Sequence, residues 1–351
     1  MTIRISAARL RAFTAEALVK AGLERTAADR VAELMNRADL QGSDGHGIIR
    51  LLPYVTRIRS GGIKLRPKIA VITEKPAMAL LDGDNAMGHL VMDRAAQIAI
   101  EKAKTSGIAW VGAQHSNHAG PASLYARMAL DHDMIGIYFA VGNANHLPPW
   151  GGLDMLLSTN PLAVAIPNAD GVPIVLDMAT TVAAYGKVKA KAQKGEMMPE
   201  GWMIDRQGNA LLDPKRAAEG FLLPIGGYKG YGLALIVGLL AGTLSGAAMG
   251  KDVIDFNADQ TTPTNTGQAI LMIDLAAFGD VAAFKARVAQ VAKDLHESER
   301  MPGVERIWMP GEQSHMKQIA FARDGVPVPD VLIATLAKLA DDLGIERLDA
   351  S

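Results

Sequence analysis

The sequence predicts an α/β protein of the α+β kind, with helical chain ends around a middle zone that mixes short strands and helices. Three observations predict it. Apolar residues recur at helical spacing near both ends of the chain. Short apolar runs bounded by turn residues fill the middle, at irregular intervals that do not fit a steady strand–helix alternation. No G-x-G-x-x-G string occurs, so the fingerprint of the doubly wound dinucleotide fold is absent.

The elements follow in order. Residues 2–21 read as an amphipathic helix carrying Arg4, Arg9, Arg11, Glu16 and Lys20, with Ser6 as a candidate N-cap and Gly22 as its stop. Thr26 starts the next helix, with Asp29 in its first turn and Gly42 past its end. A third helix spans 47–60, with Ile48, Leu51, Leu52, Val55 and Ile58 on one stripe. Strand-like runs lie at 78–81, 108–112, 135–141, 162–166, 174–176, 269–273 and 304–308. Helical patterns cover 89–105, 121–130, the stretch after Lys229, 281–298 and, at the C-terminal end, 329–343, which Gly344 stops.

The chain has 351 residues, 49% of them hydrophobic and 21% charged, enough for two folded domains. The expected division is 1–75 with 313–351 against 76–312. Lys+Arg number 36 against 37 Asp+Glu, a balance that argues against nucleic-acid binding. Cysteine is absent, which excludes disulfides, thiolate metal sites and Cys nucleophiles, and the plain reading is a cytoplasmic protein. Residues 2–21 have no uninterrupted apolar core of the signal-peptide kind. Residues 231–250 carry no charge and are long enough to span a bilayer. The favoured reading is a helix covered by protein on all sides, with no membrane as partner.

Several strings could carry chemistry. In Ser43-Asp44-Gly45-His46-Gly47-Ile48-Ile49-Arg50, His46 sits between glycines, and Arg50 four residues on shares its face on a helix. A guanidinium fork beside a near-neutral acid/base suits a substrate with a carboxylate and an adjacent oxygen, against the plainer reading of a surface His and a solvated Arg. His115-Ser116-Asn117-His118 leads from a strand towards a helix start, a place for an anion or for ordinary caps. No carboxylate lies near these histidines in sequence, and no metal site is expected. Asn143 to Gly152 and Ser158-Thr159-Asn160-Pro161 are turn-rich loops after strands. Asp177-Met178-Ala179-Thr180-Thr181 ends a strand and reads as opening a helix. In Gly226-Gly227-Tyr228-Lys229-Gly230-Tyr231-Gly232 one lysine stands among four glycines, which suits close backbone approach to a phosphate.

Together these strings resemble the malate/L-lactate dehydrogenase family of the second, non-Rossmann type, over roughly residues 38–313. The resemblance rests on D-x-H-G-x-x-R at Asp44 to Arg50, Ser116-Asn117-His118, Pro149-Trp150-Gly151-Gly152, Thr159-Asn160-Pro161, Leu176-Asp177-Met178-Ala179-Thr180, Tyr185-Gly186-Lys187, Tyr228-Lys229-Gly230-Tyr231-Gly232 and Met309-Pro310-Gly311-Glu312. The stretch from Asp177 to Gly232 looks closest to the ureidoglycolate dehydrogenase branch. The resemblance implies a largely antiparallel cofactor-binding sheet, a helical domain built from both chain ends, and a homodimer with sites near the subunit boundary. It implies His46 as proton donor/acceptor and Arg50 as anchor of the substrate carboxylate. His118 and Thr159 fall to the substrate side of the cleft, and one branch of the family uses the His118 position as the base. His118 also falls to the cofactor side, with Asp177, Met178, Ala179, Thr180, Lys229, Pro310, Gly311 and Glu312. The chain departs from the family in reading Gly45 where relatives commonly carry the serine that orients the histidine. The expected activity is NAD- or NADP-dependent interconversion of a small 2-oxo acid and its 2-hydroxy acid, with NAD slightly favoured. Reduction of a cyclic imine carboxylate is the alternative, and a non-catalytic or membrane-tethered protein the remote one.

Overall fold

A computed structural model describes residues 2–43 and 45–348, so Asp44 of the D-x-H-G-x-x-R string lies outside the described residues. The chain opens with strand β1 (Thr2–Ile5) and helices α1 (Ala7–Ala21), α2 (Arg25–Leu40) and α3 (Leu51–Arg59). Strands β2 (Ala70–Lys75) and β3 (Met78–Asp82), helix α4 (Gly88–Ser106), strand β4 (Ile108–Ser116), the single turn α5 (Ser123–Ala126) and strand β5 (Met134–Ala140) follow. Next come β6 (Leu162–Ile166), β7 (Ile174–Met178), α6 (Tyr185–Lys194), β8 (Met203–Asp205), β9 (Gly220–Leu222) and α7 (Tyr228–Ala241). Strand β10 (Thr266–Asp274), helices α8 (Val281–His296) and α9 (Glu312–Asp324), strand β11 (Val326–Pro329) and helix α10 (Asp330–Leu343) complete it.

Seven strands form the main sheet in the order β2-β3-β4-β10-β5-β6-β7. All its pairs are antiparallel except β3 with β4. That parallel pair requires a crossover, which α4 supplies. Helix α4 presents Val91, Met92, Ala95, Ala96, Ala99 and Ala103, all buried, to the sheet residues Ala79, Leu81, Val111, Ala113, Ile270 and Met272. Small alanines let the helix lie close to the strands. Strand β5 alternates buried and half-buried positions, the period-two pattern of a strand covered mainly on one face. A second apolar cluster joins Leu10, Leu18, Val31, Met35, Tyr54 and Val55 from the first helices to Val326, Val328, Ile333, Leu336 and Leu339 from the last elements. The sheet begins at Ala70, ahead of the boundary expected at 75/76.

Four sequence expectations need correction. The first residues are a strand, with Ile3 opposite Val328 in an antiparallel pair, because Thr2-Ile3-Arg4-Ile5 is an alternating β-branched run. Ser6 then caps α1, accepting the Arg9 N–H, and Gly22 ends it with φ +117. The run 304–308 is not a strand; Arg306 instead packs over the Trp308 ring, 4.2 Å from its centroid. The 121–130 pattern yields only α5 and a 3-10 turn, Arg127–His132. No helix opens after Asp177-Met178; Thr181 bridges to Pro224 instead.

Helix α7 also differs from the expected all-round burial. Residues Tyr228–Ser245 are apolar enough to pass for a membrane span by length and composition. The α-helix itself stops at Ala241 and a 3-10 turn, Thr243–Ser245, follows. Its 14 residues reach about 21 Å, short of a hydrocarbon layer of about 30 Å. Gly230, Ala234, Val237, Gly238 and Ala241 are buried, while Tyr228, Leu233, Ile236 and Leu239 are exposed. With apolar residues on every side, nothing in the sequence marks which side the rest of the chain covers.

Candidate active site

The segment after α2 is shaped by glycine and by Asp39. Both Asp39 carboxylate oxygens accept the Ile48 N–H at 3.0 Å, which pins the start of the 3-10 turn Ile48–Arg50. A Cβ on Gly47 would come within 1.8 Å of the Asp39 carboxylate, so this position is closed to side chains. Around Gly45 there is nothing within 4 Å of an added Cβ. His46 therefore leaves from a turn that precedes the helix, held by its N–H to Ser43 O at 2.9 Å. Arg50 folds back from the 3-10 turn: its Nε donates to Gly45 O at 2.8 Å and Nη1 to Asn257 Oδ1 at 3.3 Å. With Nε occupied, a carboxylate can meet the fork bidentately along its Nη1–Nη2 edge.

His46 and His118 lie face to face, ring centroids 5.6 Å apart and planes 6° apart. Behind His118 stands Tyr54, fully buried, whose hydroxyl is 2.5 Å from His118 Nδ1. Phe256 closes the pocket, 5.8 Å from the His118 ring and 5.9 Å from Tyr54. The loop bearing Phe256 is fixed by its N–H to Asn143 O at 2.9 Å and by buried Arg57, which donates to the carbonyls of Asp259 and Thr262. His89, wholly buried, meets Tyr54 edge-on at 5.4 Å. Packing strips water from these imidazoles, which disfavours their charged forms. Burial first, and the Arg50 charge second, push His46 down to about 4. His118 is held well below the ordinary histidine value by burial, then by Arg50, His46 and His89. His89 is pushed down to about 3 by burial and then by His46.

The other expected residues join by backbone links. Thr159 O accepts both the N–H and the hydroxyl of Thr180 at 2.9 Å, and Thr180 O accepts Ile225 N–H at 3.0 Å. The run through Met178 and Ala179 is thereby tied to the glycine–lysine loop. Asp177 accepts Ser123 N–H at 3.0 Å, which brings the turn after His118 against the end of β7. Pro310 O accepts Val175 N–H at 2.9 Å, and Gly311 turns there with φ +83, where a Cβ would strike Val175 at 2.8 Å. Glu312 lies deeper: it accepts from Met309 N–H and His296 at 3.1 Å and pairs with Arg306, so its carboxylate is engaged within the chain.

Lys229 is exposed and has no side-chain partner among the described residues. It lies in the first turn of α7, whose N-cap, Gly227, offers no side chain to the free N–H groups there. Open space surrounds Gly226, and the Trp150 ring lies against Gly227. An unpaired ammonium beside free helix N–H groups fits a cofactor phosphate. His115 turns away to Asp82 at 3.1 Å. Among the described residues no cluster of three or more His, Asp and Glu could hold a metal.

Tyr54, Phe256 and His89 are the pocket residues that sequence reasoning missed. Tyr54 left a signal, since His46, Arg50 and Tyr54 follow at four-residue steps. Phe256 left none, being joined to the pocket by packing alone.

A family model described as Malate/L-lactate dehydrogenase matches residues 5–337. The chain is 39% identical over 355 residues to malate dehydrogenase of Pyrococcus horikoshii, covering 99% of this chain and 97% of that one. It is 32% identical over 328 residues to ureidoglycolate dehydrogenase (NAD(+)) of Escherichia coli K12, covering 93% of each. The crystal structure of malate dehydrogenase from Entamoeba histolytica superposes with a TM-score of 0.94 at 28% identity, covering 99% of each chain.

Proposed function

The chain belongs to the malate/L-lactate dehydrogenase family and is an oxidoreductase of 2-hydroxy acids, and from that premise we propose a residue-level account of the reaction. Arg50 anchors the substrate carboxylate through its Nη1–Nη2 edge, and His46 exchanges the proton of the adjacent oxygen. The observation that carries this reading is the Arg50 fork, with Nη2 unpartnered among the described residues and Nη1 held only by a 3.3 Å bond to Asn257, beside the stacked His46 and His118.

A nicotinamide cofactor held in the cleft would supply or take the hydride at C2 of the substrate. This chain's residues do the rest. In oxidation the neutral, half-buried His46 accepts the hydroxyl proton. In reduction it returns that proton to the oxygen. Carboxylate binding cancels the Arg50 charge that holds His46 low, so proton uptake is easier once substrate is seated. Lys229 and the start of α7 receive a cofactor phosphate, with Thr159, Asp177–Thr180 and Pro310–Gly311 along the cleft. NAD is the proposed cofactor, in keeping with the NAD(+) in the name of the Escherichia coli relative.

The working unit is a homodimer. Its support is the exposed apolar face of α7, including Ile236 at 52% and Tyr228 at 63% exposure, a patch that water-facing surfaces rarely carry. A monomeric mass by light scattering at assay concentration, with full activity, contradicts it. The activity itself is tested with a panel of 2-oxo acids and cyclic imine carboxylates, each with NADH and NADPH. Turnover of 2-oxo acids with NADH is the expected result. Turnover confined to cyclic imines overturns the substrate assignment, and turnover confined to NADPH overturns the cofactor assignment.

A further inference from the structure

We propose that Tyr54 is a positioning residue that locks His118 in one neutral tautomer, with its proton on Nε2, so that His118 serves as a fixed hydrogen-bond donor. The inference rests on the reading of His46 as proton carrier and adds a division of labour between the two stacked imidazoles.

The argument starts at His118 Nδ1. The Tyr54 hydroxyl lies 2.5 Å from it and the Gly120 N–H 3.4 Å from it. A backbone N–H can only donate, so Nδ1 presents its lone pair there. Tyr54 then donates as well, and burial, which raises its hydroxyl pKa, keeps that proton in place. Neutral imidazole with an accepting Nδ1 carries its hydrogen on Nε2.

Tyr54 has little freedom to do otherwise. His89 meets its ring edge-on at 5.4 Å with planes 89° apart, and Phe256 does so at 5.9 Å and 80°. One turn further along α3, Arg57 lies over the Phe256 ring at 4.8 Å, so the brace is itself fixed. A second proton on His118 would have to enter at Nδ1, against both donors. The titratable and charged groups facing the ring are His46, His89, Arg50 and Tyr54, and none of them is a carboxylate that would welcome a cation. His118 therefore cannot exchange protons as His46 can. In oxidation the substrate O–H bond breaks and an N–H bond forms on His46, while His118 keeps its own proton and points it at the oxygen where charge develops. Removing Tyr54 leaves only the long 3.4 Å Gly120 N–H contact to hold Nδ1 as an acceptor, so the tautomer is held weakly while substrate is untouched.

The test uses the full-length protein with nitrogen-15 histidine. The chain has eight histidines, so the His118 signals are assigned by their loss in His118→Gln. The account expects Nδ1 unprotonated and Nε2 protonated in the wild type from about pH 5 to pH 8. In Tyr54→Phe it expects a mixture of tautomers, with kcat lowered about 10-fold, the order of one hydrogen bond, and an unchanged KM for cofactor. A proton on Nδ1 in the wild type overturns the proposal, and this reading needs no variant of Tyr54 to fold. An unchanged tautomer in Tyr54→Phe also overturns it. Failure of the underlying reading looks different: His46→Ala would keep its turnover while the Tyr54-dependent His118 signal stayed as described.

Discussion

Around His118 the chain packs the rings of His46, Tyr54 and Phe256 together and sets the Tyr54 hydroxyl and the Gly120 N–H against Nδ1; around Lys229 it leaves open glycines and an ammonium with no partner among the described residues. On the proposed roles, the contrast follows from what each place would have to do. Proton exchange is controlled by desolvation and by fixed tautomers, so its groups are braced before any ligand arrives. Phosphate binding needs unsatisfied donors that a ligand can reach, so its groups are kept unpaired and its backbone bare. Substitutions in the first place should act on turnover, and those in the second on cofactor affinity.

That division can be broken from either side. The largest effect is expected from His46→Ala, which should lower kcat by about 10²–10⁴, the worth of a positioned acid/base, while cofactor affinity by fluorescence titration stays as in the wild type. Joint loss of both would merge the two regions into one. Arg50→Lys keeps the charge and loses the fork, and should lower kcat/KM by about 10- to 100-fold, the range for a charge-assisted hydrogen bond. A lysine variant equal to wild type would remove the bidentate claim. Lys229→Ala should raise the apparent cofactor constant about 10-fold, leaving kcat at saturating cofactor intact; an unchanged constant would take Lys229 out of the phosphate site. The smallest effect is expected from Gly45→Ser. Nothing lies within 4 Å of the added Cβ, and the hydroxyl gives the turn a further polar group, so kcat should hold or rise. Loss of activity there would show that the pocket depends on glycine.

The sequence made some of this legible. Antiparallel sheet, helical ends and the strings around His46, Arg50 and Lys229 are all local patterns or a resemblance built on them. What stayed hidden is long-range. The pairing of Ile3 with Val328 joins chain ends that no local pattern connects. Phe256 meets the His118 ring directly, but its loop is set in place by Arg57 and Asn143, each far away in sequence. Tyr54 read as one more residue of an amphipathic helix, since its hydroxyl finds its partner only after β4 and α3 have packed. The half-exposed face of α7 was invisible because its residues are apolar all round. Glu312 read as a cleft residue from its place in a string, whereas its carboxylate is taken up by His296, Arg306 and Met309.

The pH dependence of kcat/KM for oxidation of a 2-hydroxy acid, with cofactor saturating, tests most directly the proposed role of His46 as a neutral, pre-formed base. Burial and Arg50 place His46 at about 4, and the base must be unprotonated to act. Falling pH therefore protonates it, and costs activity, only as the pH nears that value. The account predicts no loss attributable to this group between about pH 8 and pH 5. A decline that sets in near pH 6.5, the ordinary value of a solvated imidazole, and disappears in His46→Ala would contradict it.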